Sequence, residues 1–595
     1  MDISRPQPLF DTAPAARLRM GWRRSVLALA MLTFALWLPF GWNVAPLLDG
    51  WVLQSRADLD DLPFYYPEIS PTRPLTYAPW VIADLLTPDS FVAQNALYAL
   101  ALFGTGAAMY GLLRCLLPDQ PALAWFGAAL MIVFPADHGI FYLDAVNIRY
   151  SLMFTVIAIY GLLLYWQRPT LARLLLMLGA QIISLLMYEV GIPLLLSLPF
   201  LLLWVERGRF SRRWWGVSAL WSAFPLAWFA FFVNALLNGS AAYQKSLLDS
   251  SIDVANILSG VVFVYRQNLW TGFAFGWGHL FDALPGGVTL GMIGLAALVC
   301  VVVALVGWGD IHPFPPVSAR RAGWLAVWGM AALIAGFVMY IPTDDFHNID
   351  YIWRLYYFTS FGATIALIAG LLALVNLRRP LRLVLYAAGL FLLVGFQPPV
   401  YGLLVILIGA LLLLPKQFAF ASVAALLIGL AVLRGLEQHS GHAARGEAQK
   451  RLAAGVIEQA PAVANGSLLL VLDRSTEGEM RAYAFNYVFE YALALTYGHH
   501  RYSGRICYYV NPRPSEFCRF EDGQVTVSGV WGGEQTFPYE QVIAFRYDET
   551  DGMVLLDMFP ELSEVDTSAY NPRALIDADA PLPPRLFTML ENAQP

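Results

Sequence analysis

Carboxylates and arginines are scarce in this sequence, so the places where they gather indicate what chemistry it could support. Four segments between apolar runs carry them. LLDGWVLQSRADLDDLPFYYPEISPTRPLTY holds Asp49, Asp58, Asp60, Asp61, Glu68, Arg56 and Arg73, and PADHGIFYLDAVNIR holds Asp137, His138, Asp144 and Arg149. YEVG adds Glu189, and PTDDFHNIDYIWR adds Asp344, Asp345, His347, Asp350 and Arg354. If these segments meet on one side of a membrane, they form an acidic, arginine-bearing cavity. An arginine fork holds a phosphate bidentately, while a carboxylate takes the proton from an attacking hydroxyl or binds a divalent cation. Sugar transfer from a polyprenyl phosphate uses both, a base for the acceptor and a cation for the departing phosphate. For any one acid the plainer fate is a solvated loop.

The elements that must position these residues follow from composition. Of 595 residues, 58% are hydrophobic and 13% charged, against about 25% charged in a soluble domain. Apolar runs near 25–42, 91–117, 121–135, 150–166, 170–187, 190–205, 214–237, 289–308, 323–341, 355–376, 384–396, 399–415 and 417–433 predict about thirteen helices crossing a bilayer. They do not alternate as barrel strands would. Arginines crowd alternate breaks, at Arg114, Arg168, Arg173, Arg207, Arg209, Arg212, Arg213, Arg320, Arg321, Arg378, Arg379 and Arg382. By the positive-inside rule the N-terminus is cytoplasmic and the C-terminal region extracytoplasmic, which puts the four acid-bearing segments outside. The expected protein is a multi-pass component of the plasma membrane. Its arginine-bearing N-terminus lacks a small-residue cleavage pattern and reads as an uncleaved first helix. A net charge of −6 with dispersed arginines argues against nucleic acid as a partner.

The expected organisation is a cytoplasmic tail over 1–24, an all-α polytopic domain over 25–435 and a soluble domain over 436–595. In the last, SLLLVLD, ICYYV, QVTVSGVW and MVLLDMF read as strands, giving an α/β or α+β fold. Cys507 and Cys518 fall in this domain and could bridge in an oxidising compartment. The segment from Asn238 to Leu280 reads as an interfacial amphipathic element. Asp49 stands directly at a membrane boundary, where a charge is costly unless it functions or reaches water. Asp60 and Asp61 lie beside Pro63 in what is equally a solvated turn, and Glu189 is either buried and paired or lines the cavity. Arg354, between Trp353 and Tyr356, reads as a phosphate ligand or as an anchor in an aromatic belt. His138 and His347 match no metal-ligand spacing, so a divalent metal stays an open question.

Asp49 after helix one, RPLTY at 73–77, FPADHGIFYLDAVNIR, YEVGIPLLL and DYIWRLYY together resemble the GT-C superfamily of polytopic glycosyltransferases, in particular its protein O-mannosyltransferase-like branch. The resemblance spans roughly residues 20 to 380. It implies a GT-C-like membrane fold, an extracytoplasmic site, an acid in the first outer loop as base and a polyprenyl-phosphate-linked sugar donor. Members often carry two adjacent acids after helix one; here Asp49 is followed by Gly50, and the adjacent pair is Asp60-Asp61. The expected base is therefore Asp49, with Asp60 or Asp61 as alternatives and Glu189 as a further acid, and Arg73, Arg149 and Arg354 are expected to hold the donor phosphate. Asp49, Glu189, Arg73, Arg149 and Arg354 are expected to line one outer cavity. No tetratricopeptide repeat follows the membrane block, so the acceptor, whether glycan, lipid or protein, is not implied. A transporter would place charge mid-span and show matching halves, and a noncatalytic assembly or receptor component would not depend on the loop acids.

Overall fold

The computed structural model describes residues 22–586, except 61, 69, 119, 136, 138–140, 206–208, 240–253, 266–287, 310–318, 341–355, 376–399 apart from 384, 387, 388 and 391, 474–485, 511–512, 515–517, 529–532, 549–551 and 559–564. The apolar runs fold as helices because lipid leaves their backbone groups no other hydrogen-bond partners. In order these are α1 (Trp22–Ala35), α2 (Asp49–Leu59), α3 (Ala78–Leu86), α4 (Val92–Leu116), α5 (Pro121–Ile132), α6 (Val146–Gln167), α7 (Leu171–Met187), α8 (Ile192–Val205) and α9 (Arg212–Leu237). They continue as α10 (Val254–Tyr265), α11 (Leu290–Gly309), α12 (Ala319–Ala335), α13 (Tyr356–Val375), α14 (Val400–Leu411) and α15 (Lys416–Gln459). Five helical stretches among the described residues are long and apolar enough to cross a membrane: Val92–Leu116, Leu143–Gln167, Arg212–Leu237, Ala322–Tyr340 and Phe418–Gln459. Shorter apolar helices lie between them, so the count of thirteen spans is not reached by length and composition alone. The run at 384–396 lies mostly outside the described residues, as does the segment expected to be interfacial over much of 238–280.

Packing inside this block relies on close backbone approach, as expected where apolar side chains gain nothing by leaving lipid. Helices α12 and α13 meet at Gly329 and Gly362; a Cβ on Gly329 would lie 2.6 Å from the Ala366 amide nitrogen and 2.9 Å from the Gly362 carbonyl oxygen. The two ends of the bundle differ in chemistry. Arg114 closes α4, Arg173 opens α7 and donates to the Leu164 carbonyl at 2.7 Å, and Arg213 opens α9 with its guanidinium 4.6 Å over the Trp166 ring. The opposite end carries α2, α3 and the 3-10 turns at Leu143–Ala145 and Glu189–Gly191.

Helix α15 is 44 residues long, or about 66 Å at 1.5 Å per residue, far more than a hydrocarbon core of about 30 Å. Its apolar first half packs in the bundle and its charged second half leaves it, so position 436 falls within a continuous helix. Beyond it lies the strand-bearing region. Strands β1 (Ala462–Val463), β2 (Leu468–Asp473), β3 (Ser503–Val510), β4 (Arg513–Pro514), β5 (Cys518–Glu521), β6 (Gln524–Ser528), β7 (Glu534–Pro538), β8 (Val542–Asp548), β9 (Gly552–Leu555) and β10 (Ile576–Asp577) surround helix α16 (Asn486–Tyr497). The main sheet has the order β4-β3-β2-β8-β9, with β3, β2 and β8 parallel and the outer strands antiparallel. Strand β2 reads LLLVLD and is buried throughout, as a central parallel strand covered on both faces must be. A separate antiparallel sheet, β5-β6-β7, is tied to it by a disulfide between Cys507 and Cys518, whose Cα atoms are 5.9 Å apart.

The glycine contact gives a direct test. Gly329→Leu must push two backbones apart and should cost at least the about 1–3 kcal/mol typical of overpacking, lowering the thermal midpoint of the purified protein in detergent. Gly323→Leu, where an added Cβ meets nothing within 4 Å, should leave the midpoint unchanged. Equal midpoints for the two variants would refute this account of the α12–α13 contact.

Candidate functional site at the α2 face

Helix α2 begins without a cap of its own, since its N-cap residue is Leu48 and offers no side-chain acceptor. The orphan amides of a helix start must find partners elsewhere. They find the buried carboxylate of Asp144, which accepts from the amides of Leu47 at 3.2 Å, Leu48 at 2.8 Å and Gly50. Gly50 permits this approach, because a Cβ there would sit 2.8 Å from Asp144 Oδ1. Asp49 stands in the first turn of α2, exposed and within electrostatic reach of Asp144.

One helical turn beyond Asp144, Asn147 donates to Thr76 Oγ1 at 2.7 Å. Thr76 in turn donates its amide to the Arg73 carbonyl at 2.9 Å, so a short polar chain leads from the head of α2 to Arg73. The guanidinium of Arg73 forks onto Glu189, with Nε to Oε2 at 2.6 Å and Nη2 to Oε1 at 2.5 Å, and lies 4.3 Å over the Tyr188 ring. The Tyr188 and Tyr340 hydroxyls meet at 3.1 Å behind it. Burial alone would lower the pKa of Arg73, but the Glu189 carboxylate together with Tyr188 and Tyr340 outweighs burial and raises it, so the group is a permanent cation. The side chain of Arg73 is 20% exposed and that of Glu189 only 3%. The pair thus presents its cationic member outward. Between Arg73 and α2 lies Tyr77, electrostatically coupled to both Arg73 and Arg56, and burial raises its phenol above the usual range.

The other expected site residues are placed differently. Arg149 is enclosed: 3% of its side chain is exposed, Asp137 pairs with it at 2.5 Å, Tyr98 accepts from Nε at 2.8 Å, and the Tyr357 ring lies 3.9 Å from the guanidinium carbon. Asp60 is largely exposed and lies 3.7 Å from His500 of the C-terminal region. Asp61 and Arg354 lie outside the described residues, as do His138 and His347. Among the described residues no three His, Cys, Asp or Glu side chains form a metal-binding group.

Sequence reasoning missed the anchoring role of Asp144 and the pairing of Arg149 with Asp137. The second was signalled by their shared segment, where one buried arginine needs one acid. Asp58 pairs with Arg585, and this contact between residues 527 apart has no sequence signal.

No family model matches this chain, and no curated protein matches it. Among solved structures it is similar to the crystal structure of ArnT from Cupriavidus metallidurans bound to undecaprenyl phosphate. The likeness covers 82% of this chain and 86% of that one, at 12% identity and a TM-score of 0.39. The reading of the site therefore rests on the geometry above.

Glu189→Gln tests the central pair. It leaves a sheltered guanidinium without its counter-charge and should destabilise the protein by about 3–5 kcal/mol, seen as a lower thermal midpoint. The double variant Arg73→Met, Glu189→Leu should recover much of that loss. A double variant as unstable as the single one would show that the pair is not coupled in this way.

Proposed function

We propose that this protein is a membrane glycosyltransferase that moves a sugar from a polyprenyl-phosphate-linked donor to an acceptor hydroxyl at the face carrying α2. The observation that carries the reading is the pairing of an exposed carboxylate with a partly open, permanent cation on one connected polar path. Asp49 sits in a helix turn fixed by Asp144, and Arg73 is held in position by Glu189 with 20% of its side chain exposed. The GT-C-like motifs of the sequence agree with this pairing.

In the proposed reaction the acceptor hydroxyl attacks the anomeric carbon as the bond to the phosphate oxygen breaks, and Asp49 takes the hydroxyl proton. The electron pair of the broken bond leaves with the lipid phosphate, whose charge Arg73 stabilises through its planar fork. Glu189 serves as the counter-ion that aims Arg73, since both of its oxygens are already engaged. Asp60 faces His500 and is the weaker candidate for the base. Arg149, sealed with Asp137 and two tyrosines, supports α6 from within.

This reading includes an orientation, with the α2 face and the C-terminal region outside the cytoplasm. A disulfide between Cys507 and Cys518 suits an oxidising compartment, and the arginine-bearing helix ends suit the cytoplasmic side.

Two measurements test the proposal. With labelled polyprenyl-phosphate sugars and protein in lipid, the wild type should pass the label to product or to water. Loss of a proton acceptor costs about 10²- to 10⁴-fold in rate, so Asp49→Asn should nearly abolish turnover with donor binding retained, whereas Arg73→Ala should weaken donor binding as well. Full activity in Asp49→Asn would remove Asp49 as the base, and the absence of donor binding in the wild type would end the glycosyltransferase reading. In intact cells, Cys507 and Cys518 should resist alkylation until a reductant is added; labelling without reductant would argue for a reducing compartment.

A further inference from the structure

An 11-residue helix is marginal in water by itself. Helix α2 also lacks an apolar stripe to lay on the bundle, since Asp49, Gln54, Ser55, Arg56 and Asp58 are spread around it. Something outside the helix must hold it. Asp144 holds the first turn, α3 holds the middle through Asp84, which accepts from Gln54 Nε2 at 3.3 Å, with Ala57 packed in the bundle core, and the C-terminal region holds Trp51 and the tail. Trp51 is fully buried in the core of that region, edge-on to Phe91 at 5.0 Å, and its indole donates to Gln449 Oε1 at 2.7 Å. Gln449 returns a hydrogen bond to the Leu47 carbonyl at 2.9 Å. In the last two turns, Ser55 meets His500 at 3.5 Å and Arg56 donates to the Tyr491 hydroxyl at 3.3 Å.

The last of these contacts comes from the end of the described chain. Arg585 places Nη1 and Nη2 on the Asp58 carboxylate, the second at 3.2 Å, and Nε on Asp89 Oδ1 at 2.8 Å, while Nη1 also donates to the Leu495 carbonyl of α16 at 3.3 Å. One guanidinium thus joins α2, the connection between α3 and α4, and α16. Only 8% of the Asp58 side chain and 26% of the Arg585 side chain are exposed, so the pair is sheltered from the screening that weakens surface ion pairs. Asp89 adopts a φ of 66°, a left-handed conformation that costs a non-glycine residue energy and that the contact with Arg585 helps to hold.

We infer that the C-terminal region works as a clamp on α2, and that Arg585 is a positioning residue that fixes the helix presenting Asp49. This rests on the glycosyltransferase reading for its catalytic half and on contacts alone for its structural half. The helix is held at its head by the bundle and at its tail by the clamp. Release of the tail leaves α2 held by Asp144 at its first turn and by Asp84 at its middle, so that its axis can tilt and carry the exposed Asp49 side chain with it. A displacement of about 1 Å at a reacting group can cost about 10²-fold in rate.

The test uses full-length protein in lipid nanodiscs and two variants that remove the same contact from opposite sides, Arg585→Ala and Asp58→Asn. Amide hydrogen exchange across 51–59 should speed up at least tenfold in both, while exchange in β2 and α16 stays at the wild-type rate. In the transfer assay kcat should fall about ten- to hundredfold with KM for the donor little changed. Arg585→Lys, which keeps the charge and loses the fork, should fall between. Wild-type exchange over 51–59 in both variants would overturn the clamp, as would faster exchange spread equally over β2 and α16. Loosened α2 with unchanged kcat would overturn the positioning role. If the wild type transfers no sugar, the proposed function fails, and the exchange measurement alone decides the clamp.

Discussion

Leu47, Leu48 and Gly50 turn their amides onto the Asp144 carboxylate, and the arrangement of the α2 face hangs on that convergence. A helix start needs acceptors for its first amides, and most helices supply one from a Ser, Thr, Asp or Asn at the N-cap. Here the acceptor comes from 96 residues further along the chain, in the turn that opens α6. That choice ties the direction of α2 to a bundle helix. It also accounts for the residue after Asp49: a second acid at position 50 would press a Cβ against Pro46 Cβ and bring it to 2.8 Å from Asp144 Oδ1. The missing acidic pair is thus a consequence of how the turn is anchored.

Two arginines near the same face show how similar sequence contexts acquire different accessibility. Each has one acid and aromatic rings around it, Arg73 with Glu189 and Tyr188, Arg149 with Asp137, Tyr98 and Tyr357. An unpaired guanidinium at this depth would carry a desolvation penalty of several kcal/mol, and the acid offsets it. The difference lies in what closes the last side of the cation. Two tyrosines seal Arg149, one on its face and one on its edge, whereas Arg73 keeps an opening. Pairing therefore serves structure in one case and presentation in the other.

The bundle was legible in the sequence because hydropathy reports the solvent of each segment, and the apolar runs coincide with helices wherever the structure describes them. Asp49 stood out for the same reason, as a charge at a lipid boundary. The roles of Asp58 and Asp60 were not legible, while for Glu189 the sequence left two readings open and the structure shows the buried, paired one. A carboxylate in a loop looks the same whether it faces water, a substrate or an arginine hundreds of positions away, and Arg585 and His500 are such distant partners. The continuity of α15 was hidden too, since its composition changes from apolar to charged along a single helix as its surroundings change.

The C-terminal region and the bundle share more than a linker. Ala45, Trp51 and Phe91, all from the first ninety-one residues, belong to the same buried cluster as Val456, Leu469, Phe489 and Ile506. That cluster is incomplete without α2, so the helix fills the core of the C-terminal region as well as presenting a candidate base. Helix α15 brings the chain into that region with Gln449 and Lys450 already bonded to the Leu47 and Asn43 carbonyls. Arg585 binds Asp58 where the described chain ends. Attachment at both chain ends, on either side of one short helix, resists rotation about a single linker. The burial of Trp51 makes separation costly as well, because an indole and its hydrogen-bond partner Gln449 would have to be exposed together.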